Sequence, residues 1–129
     1  HQIRLRIEEF DLERTINLTD DRAEKDITPS MMGYSTGRWE EDEFVVRTTH
    51  IRARYFGVAG IKLSPEAIVD ERFIMSDDES RLDYEMTVID PVTFTEPITQ
   101  YSAWGWLPGE KIKPYDCVDR PGSWSAEEL

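Results

Sequence analysis

The feature that most constrains this chain is a two-residue alternation running through residues 66–89. Ala67, Val69, Phe73 and Met75 share one face of a first segment, and Leu82, Tyr84, Met86 and Val88 share one face of a second. The polar run Ser76-Asp77-Asp78-Glu79-Ser80 separates them. Successive side chains of a strand point to opposite sides, so an apolar set repeating every second residue can be buried together only in strands with one dry face and one wet face. The pattern predicts an antiparallel hairpin with strands 66–75 and 81–89 and with Phe73, Leu82 and Tyr84 on the buried face. A slip of one residue would turn the whole set outward. Asp90-Pro91 ends the hairpin, because proline has no amide hydrogen to give to a ladder.

The same period recurs on either side. Ile3, Leu5 and Ile7 alternate with Arg4, Arg6 and Glu8, and after a break Leu12, Ile16 and Leu18 resume on one face, which predicts two strands. Residues 19–32 hold Thr19-Asp20-Asp21 and Thr28-Pro29-Ser30 without a sustained apolar period and read as a loop with room for a short helical turn. Segments 35–39 and 44–51 flank the acidic turn Glu40-Glu41-Asp42-Glu43 as a further hairpin. A connection over 52–65 carries Gly57, Gly60 and Pro65, and a last hairpin is expected from 98–106 and 111–117 around Leu107-Pro108-Gly109-Glu110. The polar stretch 120–129 reads as a loose tail. With no repeat, no domain boundary and no helix long enough for a crossover between parallel strands, the expectation is a single all-β domain over 1–129. Its strands form an antiparallel meander of about seven or eight, closed as a barrel or half-barrel, with a β-sandwich as the alternative.

Composition narrows the partners. Fifteen basic against 27 acidic residues give a formal charge of −12, which repels phosphate backbones and anionic lipid at long range, so nucleic acid is not an expected partner. Four Trp, five Tyr and five Phe are too many for a disordered acidic tail. Cys117 is the only cysteine and His1 and His50 the only histidines, so no internal disulfide and no Cys- or His-built metal site is expected. The acidic turns lack the ligand spacing of a calcium loop, and the expectation is no metal and no cofactor. No apolar run approaches the roughly 18 residues of a membrane span. The chain opens on His1 with no charged-then-apolar leader, as a processed or trimmed chain would.

Gly33-Tyr34-Ser35-Thr36-Gly37 matches the G-x-S-x-G nucleophile elbow in letters only. That elbow needs a strand before it and a helix after it, whereas here a loop precedes and a strand follows, and the only downstream histidine, His50, is expected on a strand. Ester hydrolysis through Ser35 is therefore not expected. The glycines instead let the chain bend or let Trp39 pack across them. More informative are charges on dry faces: Glu71 shares its face with Ala67, Val69, Phe73 and Met75, and Arg14 shares its face with Leu12, Ile16 and Leu18. A lone buried charge is costly, so the two are expected to meet, either as an ion pair that pins the sheet or as polar anchors in an apolar ligand pocket. Tyr84 would line the same side, and Trp39 and Trp104 complete the candidate ligand-binding set of Arg14, Glu71, Tyr84, Trp39 and Trp104. Trp104 and Trp106, sharing a face with Gln100 and Ser102, read as a core layer in preference to a stacking surface.

From Gly33 through Trp39-Glu40-Glu41-Asp42-Glu43-Phe44-Val45-Val46, and on through Thr48-Thr49, Ser64-Pro65-Glu66-Ala67, Val69-Asp70-Glu71-Arg72-Phe73, Asp90-Pro91 and Phe94-Thr95, the chain resembles an uncharacterised family of small bacterial proteins. That family is usually exported, and its signature runs roughly G-H-S-x-G-x-W-E-G-D-x-L-V-V-x-T-T. Arg14-Thr15-Ile16 resembles its upstream arginine-containing strand, and the likeness covers about residues 14–117. It implies a β-rich periplasmic or secreted protein without assigned chemistry. Tyr34 and Leu63 stand where the family often has histidines, and the acidic and histidine run after Cys117 is missing, so no histidine-dependent activity carries over. The Gly37-Arg38-Trp39 element is similar to one in lipocalin-like barrels, which favours a lipocalin-like barrel or half-barrel over a sandwich. Two functions follow as expectations: non-enzymatic binding of a small, largely apolar ligand in the barrel, or an isomerase- or lyase-type acid–base enzyme in which Glu71 moves the proton and Arg14 stabilises negative charge. A homodimer through an edge strand is a further expectation, since a chain this short can leave a barrel unclosed.

Overall fold

The computed structural model describes residues 1–19, 22–52, 54–56 and 60–116; Cys117 and the tail expected from 120 lie outside the described residues. The strands are β1 (Gln2–Ile7), β2 (Leu12–Asn17), β3 (Tyr34–Glu40), β4 (Glu43–Thr49), β5 (Tyr55–Phe56), β6 (Ile61–Lys62), β7 (Ile68–Met75), β8 (Arg81–Ile89) and β9 (Ile98–Gly105). Seven of them form one curled sheet in the order β1-β2-β3-β4-β7-β8-β9, and β5 pairs with β6 in a separate ribbon. The architecture is an all-β half-barrel, a single sheet curled around one concave face.

The alternation places side chains as expected. In the β7–β8 hairpin Phe73 lies opposite Tyr84, Glu71 opposite Met86 and Val69 opposite Val88, while Arg72 turns to the convex side and pairs there with Glu43 at 2.5 Å. Arg47–Asp70 at 2.7 Å repeats that arrangement. Such exposed pairs add little stability individually and mainly keep the convex face wet. Met75, at the end of β7, is 53% exposed despite its place on the apolar face. The core has two parts. Ile16, Phe44 and Val46 make one, and Ile51, Leu63, Ala67, Val69 and Val88 make the other.

Four local expectations are corrected. The meander is interrupted between β2 and β3, which run parallel with Ile16 opposite Ser35 and Asn17 opposite Thr36. A tight turn can only reverse a chain, whereas the long connection after β2 carries it back to restart in the same direction. Asn17 Nδ2 donates to the Ser35 carbonyl at 3.0 Å and fastens the start. The connection 52–65 contains the β5–β6 ribbon, with Tyr55 opposite Lys62 and Phe56 opposite Ile61. β4 ends at Thr49, so His50 is not a strand residue; its φ of 54° breaks the extended path. Finally, the partner of β9 is β8, and residues 111–116 form no strand. Their amides go elsewhere: Lys113 N donates to Glu8 at 3.2 Å and Tyr115 N to Asp11 at 3.1 Å. This segment thereby ties the end of β9 to the turn after β1. Among the described residues no ladder joins those two edge strands, so the sheet stays a half-barrel.

Candidate functional site

Arg14 and Glu71, the two charges that alternation turns inward, meet on the concave face. Arg14 Nη1 donates to Glu71 Oε1 at 2.8 Å and Nη2 to Oε2 at 2.5 Å, the two-pronged geometry in which a guanidinium satisfies a carboxylate while both are desolvated. Their side chains are 12% and 4% exposed. The rest of the fork is also engaged: Nε and Nη2 each donate to Ser35 Oγ at 3.0 Å, and Nη2 to Thr48 Oγ1 at 2.7 Å. Ser35 and Thr48, opposite one another on β3 and β4, share a hydrogen bond of 2.9 Å. Among the described residues no buried side-chain polar atom lacks a partner.

Tyr84 completes the cluster by donating its hydroxyl to Glu71 Oε1 at 2.6 Å. Burial first, then the charge of Glu71 and the hydrogen bond to it, push the tyrosine pKa well above its ordinary value, with Arg14 and Arg54 pulling partly back. Both carboxylate oxygens of Glu71 are thus occupied by donors from this chain.

Ser35 is no nucleophile in this arrangement. It is 1% exposed, lies within β3, and spends its oxygen on Arg14, while His50 Nδ1 bonds Thr49 Oγ1 at 2.8 Å. The flanking glycines have separate steric roles. Gly33 has φ +67°, and a Cβ there would stand 2.6 Å from the Thr49 carbonyl oxygen. At Gly37 a Cβ would meet the Phe44 ring at 2.5 Å and Ile16 at 2.7 Å, so it is Phe44, not Trp39, that packs across this glycine.

Around the polar cluster the concave face opens into a cavity of about 520 Å³. Its walls are mostly apolar, including Leu5 from β1, Val69 and Phe73 from β7, Met86 from β8 and Phe56 from the ribbon. Of the expected ligand-binding residues, Arg14, Glu71, Tyr84 and Trp104 line it. Trp39 does not. It is 65% exposed and begins a row of rings that passes through Phe44, Phe73 and Tyr84 to Trp104, with neighbouring centroids 5.1, 6.1, 5.0 and 4.9 Å apart. Trp104, 49% exposed, packs on Tyr84 at the far end, and Trp106 is 71% exposed; β9 is open to solvent along most of its length, so neither tryptophan belongs to a core layer.

Sequence reasoning did not single out Ser35 and Thr48 as partners of Arg14, although both sit in phase with Ile16, Phe44 and Val46 on the concave side. It also passed over Arg54, which lines the cavity from just before β5. Among the described residues no group of His, Cys, Asp and Glu is arranged to hold a metal ion, and no helix is long and apolar enough to cross a membrane. Comparison with protein-family models, with curated proteins and with solved structures finds no match to this chain.

Proposed function

We propose that this protein is a binding module that holds a small, largely apolar molecule against the concave face of its half-barrel, with the Arg14–Glu71–Tyr84 cluster as the polar floor. The observation that carries the reading is the cavity of about 520 Å³, whose apolar walls enclose one fully satisfied polar cluster. Ligand sites are typically clefts of roughly 300–1,000 Å³ built from apolar walls and a few fixed polar groups. The acid–base alternative has less support, because Arg14 and Tyr84 already occupy both oxygens of Glu71 and hold the carboxylate in place. An exported location, resting on the sequence resemblance, and pairing of a second copy along the exposed edge strand β9 belong to the same reading; cell fractionation and sedimentation test them.

Uptake of a neutral, environment-sensitive dye such as Nile red tests the pocket. Wild-type protein should enhance its emission saturably, and Met86→Trp, which fills the cavity from β8, should abolish the enhancement while leaving the cooperative unfolding transition. Absence of saturable uptake by the wild type, or uptake indifferent to both Met86→Trp and a second filling variant, Val69→Phe, overturns the reading.

A further inference from the structure

The charge on the cavity wall runs against that of the chain. Acidic residues outnumber basic ones 27 to 15 overall, yet the charged residues lining the cavity are Arg6, Arg14, Arg54 and a single glutamate, Glu71. Glu71 neutralises Arg14, whose fork is saturated by Glu71, Ser35 and Thr48. Arg6 lies on the other face of β1 from Leu5 and Ile7, the face that turns away from the Arg14–Glu71–Tyr84 floor. Arg54 remains. It has no ion pair or side-chain hydrogen bond among the described residues, it is solvent-exposed while lining the cavity, and its charge is felt at the Tyr84 hydroxyl.

We infer that the ligand is an apolar acid, a molecule with a hydrocarbon body and a carboxylate head, which lays its body on the concave wall and presents its head to Arg54 at the mouth. The inference rests on the pocket reading and adds the headgroup to it. A free guanidinium beside an apolar wall selects for this combination: its planar fork takes a carboxylate through two parallel hydrogen bonds, and the hydrocarbon gains by leaving water. The other polar groups of the floor do not compete for the head, since their donors are committed within the protein. The chain's charge of −12 repels anions at a distance, so discrimination in favour of an acid has to come from this local contact.

The test is displacement of Nile red from the intact protein by dodecanoate and by dodecanol, in the wild type and in Arg54→Gln, below the concentrations at which either competitor self-associates. Dodecanoate should displace the dye at roughly tenfold lower concentration than the alcohol, the size expected for a hydrogen bond between charged groups. In Arg54→Gln that ratio should collapse towards unity. Equal potency of acid and alcohol on the wild type, or a preference for the acid that survives Arg54→Gln, overturns the headgroup and leaves the pocket standing. If the dye itself fails to bind, the pocket reading falls first and the headgroup with it.

Discussion

Glu71 and Asp90 are both buried carboxylates, 5% and 2% exposed, yet they are kept in two different ways. Glu71 sits in mid-strand on the concave face and is met by a full opposite charge, Arg14, and by the Tyr84 hydroxyl. Asp90 stands just past the end of β8 and is met by neutral donors alone: Ser64 N and Oγ, each at 2.7 Å, and the amides of Val92 and Thr93 at 3.2 and 3.3 Å. Burial pushes the Asp90 pKa up, but the bonds from Ser64 and Thr93 outweigh it and hold it at about 2. The two carboxylates serve different parts of the fold. A neutralised ion pair can floor an apolar cavity, whereas an anion wrapped in amides fastens two connections, 63–64 and 90–94, into a joint under the second core.

The ion pair carries the largest expected effect. Arg14→Met or Glu71→Leu alone should each cost about 3–5 kcal/mol, because the partner is left buried and charged, while the double replacement should cost clearly less than either. Denaturant unfolding of the four proteins checks this; two single losses that simply add in the double variant would place the pair outside any shared environment. At the joint, Asp90→Ala should cost about 1–3 kcal/mol by stranding the donors of Ser64 and Thr93. The folded pKa of Asp90 lies below the unfolded one, so its contribution is present above pH ~4 and is lost as pH falls through about 2. Thermal unfolding across that acid range should slope less in Asp90→Ala than in the wild type, and parallel slopes would break the contrast with Glu71.

Tyr84 should give the smallest effect. Its folded pKa is raised, so its contribution is complete below pH ~10, where an unfolded tyrosine ionises, and is lost as pH rises beyond that. Tyr84→Phe should cost about 1 kcal/mol at neutral pH and remove part of the alkaline decline. Titration of phenolate absorbance should show one fewer tyrosine resisting ionisation in Tyr84→Phe than in the wild type.

The two carboxylates also differ in how far the sequence discloses them. Glu71 and Arg14 interrupt apolar alternations, and a period of two converts such an interruption directly into a direction, so their meeting is legible from the order of residues alone. Tyr84 follows from the same period. Asp90 lies where the alternation stops, and its role depends on Ser64, 26 residues away, which no local pattern announces. Arg54 is hidden for the same reason, in a connection whose β5–β6 ribbon is only two residues deep on each side. The parallel step from β2 to β3 is illegible because apolar spacing identifies a strand but not the direction in which it joins the sheet. The missing last hairpin shows the converse: residues 111–116 have strand-like letters, but side chains of Glu8 and Asp11 take their amides first.

The four methionines report on whether an apolar guest occupies the concave face. Met32 and Met86 line the cavity, while Met31 and Met75, 59% and 53% exposed, lie outside its wall and serve as internal controls. In methyl NMR spectra of protein labelled at methionine, titration with dodecanoate should shift the Met32 and Met86 signals and give them intermolecular contacts to the chain of the ligand, leaving Met31 and Met75 in place. Shifts confined to Met31 and Met75, or a saturating ligand that leaves Met86 untouched, would mean that no guest occupies the concave face.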